Sequence, residues 1–235
     1  FSKYSTYTDD SVMTIAVGDA FLDAQPNAAD DWILRRLVKG MQRWGKKYPH
    51  AGYGGKFRWW LRSEDPQPYG SYGNGSAMRV SAVAWLYHDL ESVRKAAMMS
   101  AVVSHNHPEG IKGAVATALA ILYARRFGKE SMLIAMTEYY PQWVEPLLGI
   151  NRFDETCQGT LPVCLGIVNK ARNFEEAIRY AVAVGGDSDT ISAIVGSIAE
   201  GLYEIPSYIY KTALSYLPKE MIEVLYRFDR KYRFF

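Results

Sequence analysis

An all-α fold is the class this sequence predicts, and three observations predict it. Apolar residues recur at spacings of three and four in segment after segment. No run alternates convincingly with a period of two, so the strand signal is missing. Asn74 and Gly75, a pair that often closes hairpins, stand before a helical pattern and not between two β-branched runs.

Taken in order, the first helix covers 11–22, directly after an acidic cluster. The second, about 30–47, carries Ile33, Leu37, Met41 and Trp44 on one stripe. Gly and Tyr then dominate 48–75, which reads as loop with a short helix near 56–61. Helical periodicity returns over 76–87, 91–103, 110–127 and 129–139. Asn173 followed three residues later by Glu176 is a capping signal that opens a helix to about Val184. Over 191–203, Ile191, Ile194, Val195, Ile198 and Leu202 form a stripe, with Ala193, Gly196, Ser197 and Gly201 small enough for close helix approach. Pro206 and Pro218 suit the first turns of two final helices. No repeat, charge run or linker divides the chain, so one compact, orthogonal multi-helix domain is expected over 1–235.

Composition bounds the function without naming it. A chain of 235 residues that is 49% hydrophobic can bury a full core. A net charge of +2 gives no reason to expect nucleic acid or a membrane surface as the main partner. No apolar run reaches the roughly 18 residues of a membrane-spanning helix. Cys157 and Cys164 form neither a CxxC motif nor a disulfide framework, and the expectation is a cytoplasmic protein with both thiols reduced.

Two acidic clusters carry the chemistry: Thr8, Asp9, Asp10 and Ser11, and Gly185, Gly186, Asp187, Ser188, Asp189 and Thr190. Adjacent carboxylates repel, and a fold keeps them buried when a cation neutralises them. Carboxylate and hydroxyl oxygens suit Mg²⁺, Mn²⁺ or Ca²⁺ better than zinc. If the fold unites the clusters, their four carboxylates could hold a pair of such ions. The competing reading is helix capping, in which each cluster serves only its own helix amides. A phosphatase-type DxDT nucleophile would follow a hydrophobic strand near the start of a parallel sheet, whereas this one follows a helical pattern near the C-terminus.

Further motifs admit both a ligand and a bland reading. The loop through Gly73, Asn74, Gly75 and Ser76 enters a helix, which offers free amides to a phosphate but is also a common turn. Arg79 could contact an anion or pair with a carboxylate. His105 and His107 have HxH spacing, yet nothing else in the chain completes a zinc ligand set. His105 could meet a ribose or phosphate, or simply bond within the loop. Trp59, Trp60 and the many tyrosines are mostly packing residues, of which one or two could sandwich a nucleobase.

Five ordered segments together resemble the ADP-ribosylglycohydrolase family: 7–14 (YTDDSVMT), 73–79 (GNGSAMR), 104–110 (SHNHPEG), 157–162 (CQGTLP) and 176–190 (EAIRYAVAVGGDSDT). The resemblance implies an all-α fold with two Mg²⁺ ions (Mn²⁺ a possible substitute) below an ADP-ribose cleft. It implies metal ligation by Thr8, Asp9, Asp10, Asp187, Asp189 and Thr190, with Asp10 and Asp189 the catalytically sensitive positions. It further implies substrate contacts from Gly73, Asn74, Gly75, Ser76, Met78, His105 and Gly110. The implied partner is the ADP-ribose moiety of a modified protein or small acceptor, linked for example through Arg or Ser, with acceptor choice made by rim loops over 47–68. The family usually carries about thirty residues before the Thr-Asp-Asp motif, including an acidic residue that reaches the site, while seven precede Thr8 here. That departure keeps a second expectation open, a non-catalytic ADP-ribose-binding or partner-neutralising module.

Overall fold

The computed structural model describes residues 1–2, 4–24, 28–143 and 152–233. In chain order its helices are α1 (Asp9–Leu22), α2 (Asp30–Lys47), α3 (Gly55–Arg62), α4 (Gly75–Met78), α5 (Ser81–Leu86) and α6 (Leu90–Val102). They continue with α7 (Pro108–Met136), α8 (Cys157–Lys170), α9 (Phe174–Ala183), α10 (Ser188–Leu202), α11 (Ser207–Ser215) and α12 (Lys219–Arg233). Among the described residues no strand forms, and a lone antiparallel bridge joins Gly73 to Thr156. The predicted all-α class is the observed one.

Helices α1 and α7 are apolar nearly all round, which places them at the centre. Every α7 residue from Gly113 to Leu122 is buried, and so is all of α1 from Val12 to Leu22 except Thr14. Helix α7 packs on α4, α5, α6, α8 and α10, while α1 packs on α2, α5, α10 and α12. Burying each large apolar side chain contributes about 1.5–3 kcal/mol, so the long α7 anchors the core. Helix α2 is amphipathic and covers α1 through Ile33, Leu37, Met41 and Trp44, the predicted stripe. No helix among the described residues is long and apolar enough to cross a membrane.

Local signals behave as physical chemistry requires. Asn173 Oδ1 caps α9 by accepting from Glu176 N (2.8 Å), and Glu176 reaches back to Arg172 N (2.7 Å), one residue before the cap. Gly128, at φ 80° and ψ −177°, breaks α7 between the two segments read at 110–127 and 129–139. Only glycine adopts that backbone freely. Pro206 and Pro218 each stand one residue before their helix, with carbonyls that accept its first amide bonds.

The structure departs from the sequence reading in two places. The helix read over 76–87 is two short pieces, α4 and α5, joined by i→i+3 turns at Asn74–Ala77, Ala77–Val80 and Val80–Val83. Tight turns there swing the Arg79 side chain into the core. Helix α8 carries no clear sequence signal, because Gly159, Pro162 and Gly166 depress its local propensity. Burial of Leu161, Val163, Cys164, Leu165, Ile167 and Val168 overrides that preference, and Thr156 Oγ1 caps the helix by accepting from Gly159 N (3.1 Å).

Candidate active site

The fold brings the two acidic clusters together at the facing N-termini of α1 and α10. Thr8 occupies the N-cap of α1 in extended conformation but does not cap it; its hydroxyl donates to Asp10 Oδ2 (3.0 Å). Asp9 N is tied to Ala51 O (2.7 Å), and a side chain on Gly52 (φ 106°) would crowd Asp9 Oδ1 at 3.3 Å. The loop after α2 thereby fixes the height of the first cluster.

Across the cleft, Gly185 and Gly186 have φ of 81° and 69°, and this left-handed pair delivers Asp187 to the α10 N-cap. Asp187 makes no side-chain cap. Its carboxylate instead accepts from Asn74 Nδ2 (2.7 Å), which also donates to Thr160 Oγ1 (3.0 Å). The capping reading therefore fails at Thr8 and at Asp187. Neither side chain bonds its own helix amides: Thr8 serves Asp10 and faces the groove, and Asp187 is held by Asn74.

The carboxylates act on one another electrostatically. Burial, then the charges of Asp189 and Asp9, push Asp10 up to about 7, against hydroxyl bonds from Thr8 and Thr190. Asp9 rises to about 6, through burial first and then Asp189 and Asp187, against its own backbone bond. Asp187 is also raised, mainly by burial, with the Asn74 bond opposing. Asp10 is 5% exposed, and its Oδ1 is buried with no hydrogen-bond partner among the described residues. Among the described residues, no three His, Cys, Asp or Glu side chains already converge as a closed metal site. The donor set nevertheless fits a hard divalent cation: repelling carboxylates, an orphaned buried oxygen, and hydroxyls at Thr8 and Thr190.

Thr8, Asp10, Ser188 and Asp189 line one side of a groove of about 690 Å³, whose other walls are largely apolar. Met78, also on that groove, braces both helices, since its carbonyl accepts from Thr14 Oγ1 (3.2 Å) and its sulfur lies 3.9 Å from Thr190 Oγ1.

The remaining sequence-predicted residues lie behind the Gly73–Gly75 turn. Ser76 is fully buried and donates to Gly110 O (2.7 Å). A Cβ on Gly110 would lie 2.5 Å from Ser71 O, so Gly110 serves close backbone approach. Asn74 is held by Glu155 O as well as by its side-chain bonds. His105 is 5% exposed, and burial with the nearby Arg79 charge holds its imidazole well below the usual value. His107 accepts from Glu109 N and caps α7, a structural role.

Arg79 does not make the carboxylate pair expected of it among the described residues: it is 1% exposed and bonds Ser100 O and Ser104 Oγ. Sequence reasoning missed Thr160, which steadies Asn74, and Tyr53, whose buried hydroxyl feels Asp9. Nothing local to either residue marks it. Cys157 and Cys164 are free and buried, and burial pushes the Cys157 thiol up to about 12.

Comparison with known proteins bears on this geometry. The family model described as ADP-ribosylglycohydrolase matches residues 2–227. ADP-ribosylhydrolase ARH3 of Gallus gallus is 32% identical, over 49% of this chain and 34% of that protein, so the match spans about a third of its length. ARH3 of Mus musculus is 26% identical, covering 84% of this chain and 69% of that protein. ARH3 of Homo sapiens is 31% identical, covering 84% and 70%. A solved structure described as "ADP-ribosylglycohydrolase-related protein complex" superposes with a TM-score of 0.70 at 24% identity, over 96% of this chain and 81% of that one. The last likeness establishes the fold.

Proposed function

Because this chain belongs to the ADP-ribosylglycohydrolase family, we propose that it hydrolyses the glycosidic bond between ADP-ribose and a modified acceptor, with Mg²⁺ held between α1 and α10. The observation that carries this reading is the pair of acidic helix starts without side-chain caps, with Asp10 Oδ1 buried and unpartnered among the described residues. Thr8, Asp9 and Asp10 would ligate from one side, and Asp187, Asp189 and Thr190 from the other. Bound Mg²⁺ would orient ribose hydroxyls and make a bound water more acidic.

The chain's own groups supply the rest. Breaking the glycosidic bond builds positive, oxocarbenium-like charge on the sugar, which nearby carboxylates stabilise. Asp10 and Asp189 are the groups we assign to that task. Asn74 fixes the direction of Asp187, so its carboxylate does not have to reorganise when the cation enters. The turn at Gly73 and Gly75, which packs closely against His105, is the segment we assign to the diphosphate, with free amides at the start of α4. The acceptor is a protein side chain such as Arg or Ser, chosen by the loops over 47–68. Two free, buried cysteines suit a cytoplasmic setting.

The test is ADP-ribose release from matched Arg-linked and Ser-linked mono-ADP-ribosylated peptides, with Mg²⁺ and with EDTA. Release from one or both with Mg²⁺, abolished by EDTA, is the expected result. Release untouched by EDTA overturns the metal assignment. Binding of ADP-ribose with no release from either peptide favours the non-catalytic module over the hydrolase.

A further inference from the structure

A buried cation without a counter-ion is costly and calls for a physical reason. Arg79, without a counter-ion among the described residues, is such a group. It lies on the connection between α4 and α5 with its guanidinium over the Phe57 ring (5.7 Å), and it remains cationic at neutral pH although burial lowers it to about 10. Its Nη2 donates to Ser100 O (2.7 Å) and to Ser104 Oγ (2.9 Å). Ser104 is fully buried, and its Oγ lies 2.8 Å from His105 Nδ1.

The proton inventory then settles the direction of each bond. Guanidinium has only donors, so Ser104 Oγ accepts from Arg79. The serine hydroxyl has one proton of its own, and His105 Nδ1 is its remaining neighbour. If Nδ1 carried a proton, two donors would face each other or the buried hydroxyl proton would be stranded without an acceptor. Nδ1 is therefore the acceptor, and in the neutral ring the proton sits on Nε2.

Nε2 has no hydrogen-bond partner among the described residues. It faces the turn: a Cβ added at Gly75 would lie 3.1 Å from it, and one at Gly73 3.7 Å. Phe57 and Tyr69 flank the imidazole at ring-centroid distances of 6.3 and 5.9 Å and hold its plane.

We infer that Arg79 and Ser104 are positioning residues that hold His105 as its Nε2–H tautomer, presenting one hydrogen-bond donor to a phosphate or ribose oxygen at the Gly73–Gly75 turn. The ligand half of this inference rests on the reading that the turn receives ADP-ribose. The tautomer half does not. A donor fixed in this way is set before the ligand arrives and needs no imidazolium.

Long-range ¹⁵N–¹H spectra of histidine-labelled protein, with His105 assigned through His105→Gln, read the tautomer directly. The expected result is an unprotonated Nδ1 and a protonated Nε2 at neutral pH, lost or mixed in Ser104→Ala and retained in Ser104→Thr. An Nδ1–H ring, an imidazolium, or a Ser104→Ala spectrum with the tautomer unchanged overturns the inference. Dispersed amide spectra of both serine variants control for folding. Added ADP-ribose should shift Nε2, and its affinity should fall about 5–150-fold in Ser104→Ala, the range expected when a buried hydrogen-bonding group is left unpaired. A correct tautomer with Nε2 indifferent to ADP-ribose overturns the ligand half, and with it the assignment of the turn, while the Arg79–Ser104–His105 arrangement stands.

Discussion

Exchanging one carboxylate oxygen of Asp189 for an amide nitrogen changes the charge of the cleft while keeping its shape. That charge raises both Asp10 and Asp9. Asp189→Asn should therefore lower both groups towards the ordinary carboxylate range and make the metal-free protein more heat-stable at pH 8. The same change removes a proposed metal ligand, so Mg²⁺-dependent release should fall by more than the roughly 10–100-fold typical of an outer partner of a metal ligand. Near-normal turnover with the fold intact would remove Asp189 from the mechanism. Asn74 is such an outer partner, through its 2.7 Å bond to Asp187. Asn74→Ala should cost about 10–100-fold in Mg²⁺ affinity or activity, read as a Mg²⁺ titration of ADP-ribose release. An unchanged Mg²⁺ dependence would show that the bond orients nothing.

Elements hold these residues at fixed separation because certain helices touch backbone to backbone. Gly113 on α7 lies against α8, where an added Cβ would meet Cys157 Sγ at 2.3 Å and Cys157 Cβ at 2.8 Å. Both atoms belong to a buried, short side chain that cannot swing aside. Gly113→Ala should thus push α7 and α8 apart and destabilise the protein by about 1–3 kcal/mol, the usual cost of overpacking, measured by urea unfolding. Cys157 also donates to Gly73 O (3.2 Å), so the shift reaches the glycine turn. An unchanged midpoint would mean that the two helices are free to separate.

The whole molecule should unfold as one body, as expected for a single domain over 1–235. Asp19 of α1 accepts from Trp44 Nε1 (3.1 Å) and from Arg43 of α2, and also from Arg227 of α12 (2.8 Å), joining early and late parts of the chain. Scanning calorimetry should show one cooperative transition, whereas two separated transitions would divide the chain. Its dependence on pH follows from the acids. Asp9 and Asp10 are raised from 3.8 to about 6 and about 7, so the folded state binds more protons than the unfolded one. Their contribution to stability is complete below the unfolded value and is lost as pH rises through about 6 to 7. His105 works in the opposite sense, losing stability as pH falls below 6.5. The informative quantity is consequently the rise in Tm on adding Mg²⁺, which should be larger at pH 8 than at pH 5 because protons compete for the same oxygens. A rise of equal size at both values would place the cation elsewhere.

Helices with local signals were legible in the amino-acid order alone: the apolar stripe of α2, the Asn173 cap of α9, the break at Gly128 and the acidic starts of α1 and α10. Periodicity, capping and the left-handed preference of glycine act within a few residues, so they are legible without coordinates. The amino-acid order also marked Asp9, Asp10, Asp187 and Asp189 as cation ligands, but left capping as a rival. Capping by Asp187 is excluded by a contact no local pattern reveals, its bond to Asn74, 113 residues away in the chain. Helix α8 formed against its own propensity for a similar reason, as burial in the core outweighs the cost of Gly159 and Pro162. The role of Arg79 was beyond sequence altogether. A cation pairs with an anion by default, and only the closed space around Ser100, Ser104 and His105 gives it hydroxyl and carbonyl oxygens in place of a carboxylate.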